Sequence, residues 1–89
     1  MRTEITVRPT PTKDGFSCQV EIKEARGRSS HLVRVSDDEL RRYGRGRGVE
    51  ELVTASFWFL LEREPPSSIL AAFDLSTIGR YFPEFEERI

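Results

Sequence analysis

One cysteine, one histidine and no uninterrupted apolar run longer than five residues set the first limits on this 89-residue chain. A lone Cys18 excludes an internal disulfide and a cysteine-based metal site, and it falls within an alternating apolar pattern where a small buried thiol is ordinary. With a single His31 and no acid-rich loop of calcium-binding spacing, no metal is expected. Phe57-Trp58-Phe59-Leu60-Leu61 is far short of a membrane span. Glu4 sits where a signal peptide would need its apolar centre, so no export signal is read and the cytoplasm is the expected compartment. Gly44, Gly46 and Gly48 form G-x-G-x-G without the lysine of a phosphate loop, after a helix and not after a strand, so no nucleotide or other cofactor is expected.

What is present describes a folded domain. Hydrophobic residues make up 37% of the chain and charged residues 33%, and aromatic residues at 10% argue against general disorder. At this length one core is expected, burying roughly 60% of the unfolded surface. The reading is therefore a single domain over residues 1–89 with a loose acidic tail at 83–89. Charge is uneven: residues 1–48 hold eleven Lys/Arg against seven Asp/Glu, and residues 49–89 hold three against eight.

Period-two alternation marks three strands, carried by Ile5 and Val7, by Phe16, Cys18, Val20 and Ile22, and by His31, Val33 and Val35. Pro9 to Gly15 reads as the first turn and Ala25 to Arg28 as the second. Pairing Val7 with Phe16 and Ile5 with Cys18, then Glu24 with Ser29, Ile22 with His31, Val20 with Val33 and Cys18 with Val35, puts the apolar set on one face of an antiparallel meander.

Ser36-Asp37-Asp38-Glu39 fits a capping box and starts a short helix, with Gly44 as its expected left-handed stop. The main helix is predicted over Val49 to Glu64, with Val49, Leu52, Val53, Ser56, Phe57 and Leu60 on one face and Pro65-Pro66 ending it. Trp58 points the opposite way, so a second surface is expected to cover it: the C-terminal segment or a second copy. Ile69, Leu70, Phe73, Leu75, Ile78, Tyr81 and Phe82 read as two short helical pieces around Asp74. The expected fold class is α+β: a three-stranded antiparallel meander, then a short helix, a long helix and two short C-terminal helices.

Candidate chemistry is sparse. In the register above His31 faces Ile22, which places it roughly 13 Å from Cys18 at 3.3 Å per residue, too far for a nucleophile pair. Its expected role is that of a sheet-edge residue satisfied by solvent or backbone. The carboxylates at helix ends read as caps and solvated groups, and no enzyme is predicted. Arg41, Arg42, Arg45 and Arg47, interleaved with glycine and Tyr43, have two readings. They can contact phosphates of a nucleic acid, or they can belong to a helix–helix linker and pair with the acidic second half.

The elements His31-Leu32-Val33-Arg34-Val35-Ser36, Glu51-Leu52-Val53 with Ser56-Phe57, Phe59-Leu60-Leu61-Glu62-Arg63-Glu64-Pro65, Ser68-Ile69-Leu70, Phe73-Asp74-Leu75-Ser76 and Arg80-Tyr81-Phe82-Pro83-Glu84 resemble a group of short uncharacterised bacterial proteins. The resemblance implies a bacterial origin; no activity and no site residues come with it, and residues 41–48 lie outside its pattern. The expected function is a small non-enzymatic cytoplasmic interaction module, binding a protein partner or a second copy through aromatic surface at Trp58, Tyr81 and Phe82. A nucleic-acid-binding accessory protein using the arginines is the alternative.

Overall fold

The computed structural model describes residues 2–89, and its fold is α+β. Strands β1 (Glu4–Thr12), β2 (Gly15–Glu24) and β3 (Gly27–Ser36) form the antiparallel meander. Helices α1 (Asp37–Gly44) and α2 (Val49–Leu61) follow, then a 3-10 turn (Pro66–Ser68), a three-residue strand β4 (Ala72–Asp74), and helices α3 (Thr77–Tyr81) and α4 (Phe85–Arg88). The sheet order is β1-β2-β3-β4, with β4 parallel to β3.

Both hairpins are tighter than the sequence suggests. Thr12 pairs with Gly15 and Glu24 with Gly27, leaving two-residue loops, and Val7 consequently faces Val20 while His31 also faces Val20. The expected pairings are thus displaced by four residues in the first hairpin and by two in the second. Because both displacements are even, every apolar side chain stays on the predicted face. Pro9 and Pro11 lie inside β1 and not in a turn, which an edge strand tolerates when the imide nitrogens point away from the neighbour. Their spacing of two gives both the same orientation.

The inner face buries Val7, Cys18, Val20, Ile22, His31, Val33, Val35 and Phe73, and α2 packs over β1 and β2. Val49, Leu52, Val53, Ser56, Phe57, Phe59 and Leu60 of α2 are buried, and the Ser56 hydroxyl donates to the Leu52 carbonyl at 2.8 Å, so its burial leaves no unmet polar group. The helix ends at Leu61, one turn before the predicted Glu64. The fourth strand was not anticipated. It is held by Leu32 N–H to the Ala71 carbonyl at 2.8 Å, Leu75 N–H to the Arg34 carbonyl at 3.0 Å and an Arg34–Asp74 ion pair on the outer face.

The capping box forms as predicted: Ser36 accepts from the Glu39 amide, and Glu39 Oε1 accepts from the Ser36 amide. Glu39 Oε2 also accepts from the Ser76 amide at 2.8 Å, so one carboxylate joins the start of α1 to the start of α3. The stop differs from expectation. Gly44 remains helical and buried, and the left-handed residue is Arg45, at φ 53°. A Cβ on Gly44 would lie 3.2 Å from Leu40 Cδ1, so Gly44 serves close packing and the turn moves one residue on. A non-glycine residue in this region carries strain. Arg45→Gly is therefore expected to be more stable than Arg45→Ala by about 1 kcal/mol, both lacking the same side-chain bond; urea unfolding of the pair checks it.

The tail expected to be loose is ordered. Residues 85–88 are helical, Phe85 is fully buried, and its ring packs at 5.2 Å against both Tyr43 and Phe59. Among the charged residues of Phe85-Glu86-Glu87-Arg88-Ile89, Phe85 is a single deep anchor.

Candidate interaction surface

The arginine-rich stretch leaves α1 and runs beside the C-terminal helix, and it engages that helix closely. Arg42 donates twice to the Glu86 carboxylate, at 2.8 and 3.2 Å, while Arg45 donates to the Glu86 backbone carbonyl at 2.7 Å. Arg47 donates to the carbonyls of Gly44, Tyr43 and Ile89, which satisfies the end of α1 and holds the last residue of the chain. Arg41 pairs with Asp38 one turn back on α1.

Arg63, two residues past the end of α2, repeats the arrangement. Its guanidinium lies 3.6 Å from the Phe59 ring centroid, donates to the Phe59 carbonyl and bonds Glu84 at 3.1 Å. Sequence reasoning missed this residue because its two partners, Phe59 and Glu84, come from separate segments. The hydrogen bond from Arg42 holds the Glu86 carboxyl below its usual range; Glu84 is held down by its own backbone amide and then by Arg63. Both carboxylates support the tail at neutral pH, and acid that protonates them removes that support.

Cys18 and His31 both lie inside the core. Cys18 is fully buried, and burial pushes its thiol up to about 11. His31 is buried on an interior strand, not at an edge. Its Nδ1 donates to the Leu70 carbonyl at 2.8 Å, Nε2 meets the Ser29 hydroxyl at 2.9 Å, and its ring packs 5.5 Å from Phe57. A carbonyl only accepts, so the proton is assigned to Nδ1.

With the thiol's folded pKa raised from 9.0 to about 11, its stabilising contribution is complete below pH 9 and lost as pH rises toward 11. Cys18 is expected to resist a disulfide reagent at pH 8 until the protein unfolds. Stability should decline between pH 9 and 11 by on the order of 2 kcal/mol more in the parent than in Cys18→Ala, measured by urea midpoints across pH.

The surface around Trp58 has a different character. Trp58 is 46% exposed on the outer side of α2, and the C-terminal segment, which covers Phe59 and Leu60 instead, leaves it open. On one side of the indole lies a depression formed with Thr3, Glu24, Leu61, Glu62, Glu64 and the two prolines; on the other lies one formed with Glu50, Glu51, Thr54 and Ala55.

Glu64 also borders a cleft of about 380 Å³ between the end of α2, the 3-10 turn and α3. Leu60, Ile69, Phe73, Ile78 and Phe82 form its apolar wall, and Ser68 and Thr77 add hydroxyls. Tyr81, 66% exposed, and Leu70, 47% exposed, stand at its rim. Phe82 is half-buried and meets Phe59 edge-on at 6.0 Å. Of the sequence-predicted residues, Tyr81 and Phe82 thus share one cleft, Trp58 adjoins it through Glu64, Arg42, Arg45 and Arg47 gather separately against the C-terminal residues 86 and 89, and Arg41 stays on α1 with Asp38. Among the described residues no group of three or more metal-ligating side chains occurs, and no helix is long and apolar enough to cross a membrane. No protein-family model, curated protein or solved structure matches this chain.

Proposed function

We propose that this chain is a small non-enzymatic protein-interaction module whose working surface runs from Trp58 across Glu64 to the cleft bordered by Tyr81 and Phe82. One observation carries the reading. Among the described residues, three of the four large hydrophobic side chains left exposed, Trp58, Leu70 and Tyr81, border two hollows that share Glu64. Indole and phenol groups beside an apolar hollow are the side chains that anchor protein interfaces, since each offers a large rigid contact area and one polar tip. The non-enzymatic part rests on Cys18 and His31, whose contacts are internal to the core. Residence in the cytoplasm belongs to the same reading.

Selection of random displayed peptides on the immobilised chain tests it. Binders should be enriched on the parent and lost on a Trp58→Ala, Tyr81→Ala double variant that keeps the parent's melting temperature. An empty selection, or binders indifferent to the double substitution, contradicts the reading. A second copy as occupant is the outcome in which sedimentation shows a dimer that the double variant abolishes.

The nucleic-acid alternative uses Arg41, Arg42, Arg45 and Arg47, and a phosphate there would have to displace Asp38, Glu86 or a backbone carbonyl from each of them. On that alternative, binding to mixed RNA falls steeply with salt and vanishes in an Arg45→Ala, Arg47→Ala variant. On the reading preferred here the same variant loses stability and has no such binding to lose.

A further inference from the structure

We infer that the partner is basic: a protein segment carrying a large apolar anchor for the cleft and lysine or arginine beside it. The inference rests on the reading above that this surface receives a protein, and it specifies that protein's chemistry. Among the described residues, the one charged side chain bordering the cleft is Glu64. The depression next to it adds Glu24 and Glu62, and the hollow beyond Trp58 adds Glu50 and Glu51; Glu62 is already paired with Arg63, so among the described residues four carboxylates without a cationic partner surround the indole and the cleft mouth, and no lysine or arginine borders any of the three hollows.

The cation nearest in sequence, Arg63, is only 19% exposed and is occupied by Phe59, Glu84 and Glu62. An acidic segment docking here meets like charge on both sides of its anchor. A neutral one strips water from carboxylates without replacing it. A basic one meets carboxylates at the rim and can set its cation over the indole face.

Two synthetic amphipathic peptides of one length, leucine–lysine and leucine–glutamate, separate these cases, and Trp58, the single tryptophan of the chain, reports binding by its emission. The lysine peptide is expected to shift the emission to shorter wavelength and to bind at least tenfold tighter than the glutamate peptide. Glu64→Gln should weaken the lysine peptide roughly fivefold with an unchanged melting temperature, while Glu87→Gln, exposed on α4 and bordering none of the three hollows, leaves its affinity alone. Equal binding of the two peptides, or equal loss in both variants, overturns the basic partner while leaving an interaction module in place. Displayed peptides selected on the chain that show no excess of lysine or arginine overturn it as well. Failure of both synthetic peptides together with an empty selection overturns the interaction surface itself.

Discussion

Gly15→Ala is expected to destabilise the protein by about 4 kcal/mol, a fall in melting temperature on the order of 20 °C for a domain of this size. Gly15 closes the first hairpin opposite Ser36, and a Cβ there would lie 2.1 Å from the Val35 carbonyl oxygen and 2.7 Å from Ser36 Cα. Those atoms are backbone, so no side-chain rotation relieves the clash. The same corner holds the Asp37 amide against the Asp14 carbonyl at 2.9 Å, which seats the hairpin on the first turn of α1. Relief therefore has to come from separating the hairpin from the capping box, and both lose their hydrogen bonds together. Thermal unfolding followed by circular dichroism checks the size of the effect. Gly27→Ala is the matched control, since a Cβ at Gly27 meets nothing within 4 Å. Both glycines have comparable positive φ, 157° and 154°, so the difference between the two variants isolates the contact.

Phe85→Ala is expected to cost about 4 kcal/mol, close to the whole stability of many domains this small. The ring is fully buried between Tyr43 of α1 and Phe59 of α2, and its removal empties the junction of three helices. Arg42, Arg45 and Arg47 also lose the helix they hold, so the loss extends beyond the cavity. Glu87→Ala, an exposed neighbour on the same helix, should stay within 0.5 kcal/mol or so of the parent. Urea midpoints for the two variants decide between an anchored and a dispensable C-terminus. A tail that merely trails from the domain would leave both unchanged.

These two residues also show where sequence pattern informs and where it stops. The meander, the capping box and α2 were legible because each is written in local spacing: period two, a Ser with Glu three positions on, and apolar residues at helical intervals. Side-chain faces survived a wrong register because the error was even. Turn length was not legible, since Pro9 and Pro11 look like turn residues until the strand is known to be an edge. Nor was β4, whose three residues carry one buried ring; Ile69, Leu70 and Phe73 have the spacing of a helix face, and only pairing with β3 makes that segment extended.

The candidate surface was half legible. Trp58 stood out by lying opposite the buried face, and Tyr81 and Phe82 by their aromatic character. The expectation that the C-terminal segment would cover the indole failed because that segment is drawn to the other side of α2, by Phe85 and by four arginine contacts that join positions about forty residues apart. The same contacts give Arg42, Arg45 and Arg47 partners within the chain, Arg42 on the Glu86 carboxylate and the other two on backbone carbonyls of residues 86 and 89, and local sequence cannot show it.

The most direct test of the account is an amide correlation spectrum of the isotope-labelled chain titrated with the leucine–lysine peptide. The account predicts that the Trp58 indole resonance and the amides of Glu64, Leu70, Ile78 and Tyr81 move together and saturate at one concentration, while those of Arg41 to Arg47 and of the outer sheet face hold still. Movement centred on Arg41 to Arg47, with the Trp58 indole unchanged, would contradict it.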